Sequence, residues 1–288
     1  PPPPPPPEPT TSYVGTAGND TFNITGSLDT TFDMTQGGDD IVNSGSGNDT
    51  ISIGSTLTAV DSINGGAGVD VLNLTGSTTV TLNSTTVTNI EKIVLAAGNF
   101  NITTNDATVG SSIVFDASTL ASINGATING KAELTGSIQF LGGAGKDTFT
   151  GGSGVDIFNG GLGADVLTGG NGDDKFIYDE AADSAYGVTN SSDLISLFKV
   201  GSDEIDLSAF GFTGASASVY NRPGSGFTTG DSANFYNGSG AAAEYTRTGK
   251  TARLYVDANH DNTLNAGDLM IQLTGVSKGS ITVGDIVF

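Results

Sequence analysis

The chain has 288 residues, ample for a buried core and enough for two ordinary domains or one long repeat structure. Its 31 acidic residues against 10 basic ones give a formal charge of −21, which repels nucleic acid and anionic membrane surfaces and suits a cation partner. With no cysteine and a single histidine, His260, the chain has no disulfide, no thiolate chemistry, no cysteine-ligated zinc and no two-histidine metal site.

No run of about 18 apolar residues occurs, so no membrane-spanning segment is expected. Glycine contributes 43 residues, where an ordinary chain of this length carries about 20. Pro1 to Pro7, followed by Glu8 and Pro9, predict a stiff polyproline II spacer over 1–12. Such a spacer implies an upstream portion of a longer protein.

Residues 13–73 contain four related nonapeptides: GTAGNDTFN (15–23), TQGGDDIVN (35–43), SGSGNDTIS (44–52) and GGAGVDVLN (65–73). Each has aspartate at its sixth place: Asp20, Asp40, Asp49 and Asp70. Asp40 and Asp49 lie nine residues apart, hence on opposite edges of a two-sided coil, whereas 20 residues separate Asp20 from Asp40 and 21 separate Asp49 from Asp70. These spacings predict a degenerate β-roll. Asn-Asp and Gly-Asp turns between ordinary strands are the competing reading.

Residues 74–141 lose the motif and become dense in threonine, valine, isoleucine and asparagine. Alternation at Val80 and Leu82, and again at Ile93 and Leu95, has the period of two that marks strands. The segment predicts a metal-poor parallel β-helix held by side-chain stacking. Its threonines keep no fixed register, which argues against an ice-binding face.

Residues 142–177 are four uninterrupted nonapeptides: GGAGKDTFT, GGSGVDIFN, GGLGADVLT and GGNGDDKFI. Glycine holds the first, second and fourth places, aspartate the sixth, and Phe149, Phe158, Leu167 and Phe176 the eighth. Glycine lets the chain turn sharply and aim carbonyls inward, and a hard cation such as calcium takes six to eight oxygens from carbonyls and carboxylates. The candidate donors are Gly142, Ala144 and Asp147; Gly151, Ser153 and Asp156; Gly160, Leu162 and Asp165; and Gly169, Asn171 and Asp174. A coil of two nonapeptides stacks Asp147 with Asp165 on one edge and Asp156 with Asp174 on the other. Calcium then sits between successive turns of one edge.

This array resembles the RTX repeat proteins. The resemblance implies a right-handed parallel β-roll, bound calcium and export through a type I secretion apparatus. The segment NIEKIVL (89–95) is similar to a strand of bacterial surface-layer and RTX adhesin solenoids.

Residues 178–288 are expected to form a mixed β cap. The run SSDLISLFKVGSDEIDLSAFGF (191–212) resembles the closing segment of the serralysin-type β-roll, and Leu194, Leu197, Phe198, Ile205, Leu207 and Phe210 are expected to cover the open core. The histidine-rich zinc helix of those proteases has no counterpart, so their activity does not carry over. The loop DANHDNTLNAGD (257–268) places Asp257, Asn259, Asp261, Thr263 and Asp268 at EF-hand ligand positions between two strands. A plain acidic hairpin turn is the alternative. His260 is expected to face solvent. Asp285, Ile286, Val287 and Phe288 resemble the uncleaved export signal of type I substrates.

The fold class expected is therefore all-β: a parallel β-roll and β-helix solenoid with a mixed β cap. The chain carries no recognisable catalytic group and is expected to act as a calcium-gated folding module of a secreted or cell-surface protein. Partners consistent with this are calcium ions, the secretion apparatus, a cell-surface glycan or lipopolysaccharide, and identical subunits in a lattice. One reading makes it a structural part of a surface-layer protein or adhesin. The other makes it the folding and secretion domain of an enzyme, such as a protease, lipase or polysaccharide-modifying enzyme, whose catalytic part lies upstream.

Overall fold

The computed structural model describes residues 11–189, 191–212, 219–221, 243–248, 251–260, 265, 267–276, 281 and 283–288. Pro1 to Pro9, which carry the polyproline expectation, lie outside the described residues. The first strand, Thr11–Val14, already occupies the last two positions assigned to the spacer.

Short strands alternate with glycine-rich turns, and each strand faces one side inward. Thr50–Ile53, Lys92–Ala96 and Ser137–Leu141 bury every second residue, as the alternating sequence predicts. Successive strands stack in parallel into a solenoid with two walls. One wall is an 11-stranded sheet that runs the length of the described chain. The facing wall begins as a 4-stranded sheet, Thr21–Asn23 to Val87–Thr88, and continues as a 10-stranded sheet from Thr78–Thr81 onward. The one α-helix among the described residues, Asp106–Val109, is four residues long and is capped by the Asn105 side chain.

Register turns the alternation into a continuous core. In the long wall Tyr13, Phe32, Ile51, Leu72, Ile93, Phe115, Phe140, Phe158, Phe176, Ile205 and Ile286 lie directly over one another. Opposite them run Val80, Ile102, Ile128, Phe149, Leu167, Ile195 and Leu273. Burying one such side chain contributes about 1.5–3 kcal/mol. In the nonapeptide array the rings stack as well. Phe158 lies 5.0 Å from Phe140 and 5.0 Å from Phe176, with interplanar angles of 15° and 14°.

Side chains stack through residues 74–141 in both inward columns, and an asparagine ladder that begins earlier in the chain reaches into this segment at Asn89. Asn43 donates to Asn23 at 2.6 Å, Asn64 to Asn43 at 3.2 Å and Asn89 to Asn64 at 2.7 Å. Across 74–141 a neutral series replaces the aspartates on one edge: Asn99 N–H donates to Ser77 Oγ at 3.0 Å, and Gly125 N–H to Asn99 Oδ1 at 2.9 Å.

The segment expected to close the roll adds rungs to the two walls. Leu194–Ser196 extends one wall in parallel with Val166–Thr168, and Glu204–Asp206 extends the other in parallel with Lys175–Ile177. Consequently Ile195, Phe198, Ile205 and Leu207 are buried, whereas Leu197 is 63% exposed. Leu197 sits in a left-handed turn (φ +62°) after the strand, and Leu194 lies on the strand face opposite Ile195, so neither covers the core. The hairpin of Thr251–Val256 and Leu269–Thr274 then continues one wall, and Ile286–Val287 adds a rung to the other. The mixed character of this end comes from that antiparallel hairpin.

Candidate metal columns

At each edge of the solenoid a carboxylate stands immediately before a strand, and successive coils align these positions. Its Oδ1 accepts the backbone N–H at the matching place one coil earlier. Along one edge of the array Ala126 N–H donates to Asp147 at 2.6 Å, Asp147 N–H to Asp165 at 2.7 Å and Asp165 N–H to Asp193 at 2.8 Å. Along the other, Ile138 N–H donates to Asp156 at 2.7 Å, Asp156 N–H to Asp174 at 3.0 Å and Asp174 N–H to Asp203 at 3.2 Å.

The degenerate repeats build the same rungs. Asp20 N–H donates to Asp40 at 3.0 Å and Asp40 N–H to Asp61 at 2.8 Å. On the opposite edge Asp49 N–H donates to Asp70 at 2.7 Å and Asp70 N–H to Glu91 at 2.6 Å. The edge pairing read from the spacings thus recurs in the hydrogen bonds. Sequence reasoning missed Asp61, Glu91, Asp193 and Asp203 as rungs, because their turns lack the glycine pattern. The available signal was an acidic residue directly before an alternating apolar run.

The second carboxylate oxygen decides what the columns can hold. Asp147 Oδ2 and Asp156 Oδ2 accept from the backbone of Gly143 and Gly152 at 2.9 and 2.8 Å. Asp49 Oδ2, Asp70 Oδ2, Asp165 Oδ2 and Asp174 Oδ2 are buried without any hydrogen-bond partner. A buried acceptor left unsatisfied costs about 1–3 kcal/mol, and more when charged. The first glycine of each nonapeptide explains why the space exists. A β-carbon at Gly160 would lie 2.4 Å from Asp165 Oδ2, and one at Gly169 2.2 Å from Asp174 Oδ2.

Electrostatics sharpen the point. Burial pushes Asp70, Asp147 and Asp156 up to about 6, and Asp174 up to about 7. Burial and the charge of Asp193 raise Asp165 strongly, and burial reinforced by Asp183 and Asp147 does the same to Asp193. The two lysines that form ion pairs among the described residues, Lys92 and Lys175, pair with Asp116, Glu204 and Asp206 rather than with the columns. All the donors here are oxygens, which fits calcium rather than a transition metal. Among the described residues no three acidic or histidine side chains converge on one point, so backbone carbonyls would supply much of each coordination shell.

Gly142, Gly151, Gly160 and Gly169 are buried at these turns, and Ala144 and Ser153 are half-buried. Leu162 and Asn171 are exposed, so a contribution from these two places comes from the backbone oxygen. Asp20 is half-buried, and Asp40, Asp49 and Asp70 are buried. In the EF-hand-like loop Asp261 and Thr263 lie outside the described residues. Asp257 and Asp268 are buried and Asn259 is exposed. Asp268 accepts from Ala258 N–H at 3.1 Å and Asn265 N–H at 2.7 Å, and directly precedes the strand Leu269–Thr274, as the rung aspartates do. His260 is exposed, has a left-handed backbone (φ +59°) and stacks on Phe212 with ring centroids 4.7 Å apart.

The family model of the RTX calcium-binding nonapeptide repeat matches in four copies, over residues 35–52, 58–76 and 141–184. No curated protein matches the chain. Two similar solved structures are repeat subunits of a mannuronan C5-epimerase from Azotobacter vinelandii. The R2 subunit of AlgE6 is 26% identical, with 52% of this chain and 80% of that one covered and a TM-score of 0.35. The R3 subunit is 25% identical, with 53% and 72% covered and a TM-score of 0.33. The chain therefore carries RTX calcium-binding repeats on a parallel β-solenoid.

Proposed function

We propose that this calcium-binding repeat module is a non-catalytic, structural part of an exported surface protein of the surface-layer or adhesin type, kept unfolded in low calcium and folded by calcium outside the cell. The observation that carries the proposal is the pair of carboxylate columns, in which Asp49, Asp70, Asp165 and Asp174 each keep a buried second oxygen without a hydrogen-bond partner. Without metal, ionised aspartates stacked one coil apart repel one another, and the many glycines make ordering the chain costly in entropy. With calcium at extracellular levels, binding free energy becomes folding free energy. Extracellular calcium modules have dissociation constants of about 10⁻⁴ to 10⁻³ M, which places the transition between cytosolic and external calcium. An unfolded chain suits a narrow type I export channel, and the aligned walls suit a rigid stalk or lattice element.

The test is far-UV circular dichroism of the chelator-treated chain, titrated with calcium and separately with magnesium. A cooperative gain of β signal near millimolar calcium, with none from magnesium, is expected. Magnesium demands tight octahedral geometry and keeps its waters, so it is a poor match for a column built of backbone carbonyls. Full β structure in excess chelator sinks the folding switch.

A further inference from the structure

Between the matched repeats, in residues 77–140, one carboxylate is fully buried. Glu133 has no exposed surface, although it belongs to the motif-free stretch 74–141. At this edge the register sets Ile138 opposite Asp156, so the coil lacks a rung aspartate. Glu133 folds into the gap. Its Oε1 accepts the backbone N–H of Thr135 at 2.6 Å and that of Gly136. Its Oε2 is buried and has no partner.

That oxygen points at the next turn of the same edge. A β-carbon built on Gly152 would meet Glu133 Oε2 at 2.9 Å, and Gly152 N–H donates to Asp156 Oδ2 at 2.8 Å. Carboxylates from two successive turns thus flank one glycine. Glu133 forms no ion pair among the described residues. A glutamine would fill the same volume without burying a charge, so the ionisable group itself needs a counter-charge.

We propose that Glu133 and Asp156 hold a further calcium ion between turn 130–136 and turn 151–156, so that the array's metal column on this edge begins one coil before Asp156. Backbone carbonyls of the two turns complete the oxygen shell. This inference rests on the nonapeptide turns binding calcium, and it extends the binding set to a coil that lacks their motif.

The test uses the full chain and calcium alone. Bound calcium is counted by equilibrium dialysis for the parent and for Glu133→Gln, with circular dichroism in saturating calcium as the check on folding. The substitution is expected to lower the stoichiometry by one ion while the β signal is retained, and Glu133→Asp to keep the ion count with a calcium affinity weakened about tenfold or more. An unchanged stoichiometry in Glu133→Gln overturns the inference. A parent chain that binds no calcium overturns the repeat reading itself, which is a separate result. If Glu133→Gln does not fold, anomalous diffraction from crystals of the parent grown in calcium decides: a peak between Glu133 and Asp156 supports the site, and its absence there refutes it.

Discussion

Without calcium, the protonation of the buried aspartates sets the stability of the metal-free solenoid. Burial holds Asp147 and Asp156 at about 6 and Asp174 at about 7 in the folded chain, against an ordinary value of 3.8. Because the folded values are raised, the contribution is complete below about pH 3.8 and is lost as pH rises through about 6 to 7. One pKa unit corresponds to about 1.4 kcal/mol. Between pH 5 and pH 7 the loss is therefore about 1 kcal/mol for each of Asp147 and Asp156, and about 2 kcal/mol for Asp174. Typical domain stability is only about 5–15 kcal/mol, so these three residues are enough to shift the balance.

In chelator, circular dichroism should show little β structure at pH 7 and a gain of β signal, with a thermal transition, as pH falls to 5. In calcium the sign reverses: protons compete with the metal for the same oxygens, so the calcium midpoint should rise as pH falls from 7 to 5. Asp174→Asn separates the two effects. Its amide oxygen can still accept from Asp156 N–H, but no charge is buried. Chelator stability at pH 7 should rise by up to about 3 kcal/mol, while the calcium midpoint moves to higher concentration. A metal-free chain equally stable at pH 5 and pH 7, or an Asp174→Asn chain that binds calcium as tightly as its parent, refutes the reasoning.

Phe158→Ala removes the central ring of the Phe140–Phe158–Phe176 stack and should cost about 3–5 kcal/mol in saturating calcium, read from urea unfolding. A loss below about 1 kcal/mol would show that the stacked column does not govern wall packing. Gly163→Ala forces a side chain onto a backbone at φ +141° and brings a β-carbon to 2.4 Å from the Gly145 carbonyl oxygen. The expected cost is about 1–3 kcal/mol with a raised calcium midpoint. Gly18→Ala, whose nearest neighbour would be 3.7 Å away, should change neither by more than about 0.5 kcal/mol.

Much of this architecture was legible as local pattern. Glycine at the first, second and fourth places and aspartate at the sixth announced the turns of 142–177, and a spacing of nine placed Asp147 and Asp156 on opposite edges. Period-two alternation in segments such as KIVLA (92–96) announced the strands. The closing segment was less legible. Leu194 and Leu197 look like core residues in composition, yet strand phase turns the first away from Ile195, and a left-handed turn exposes the second.

The sequence by itself determined the turn chemistry, the inward face of each strand and the oxygen-only character of the donors, because these depend on residues within about nine positions of one another. Only the tertiary structure decided which carboxylates share a column. The coil is 18 residues long in the array, 20 or 21 where Asp40 and Asp61 follow Asp20, and 28 or 29 where Asp193 and Asp203 join. No fixed period finds those last rungs, or Glu133, which enters its column from five residues before the usual place at Ile138. Their alignment is set by the inward column from Tyr13 to Ile286, since packing one apolar residue over the next fixes the register and lets the turns between absorb the difference in length.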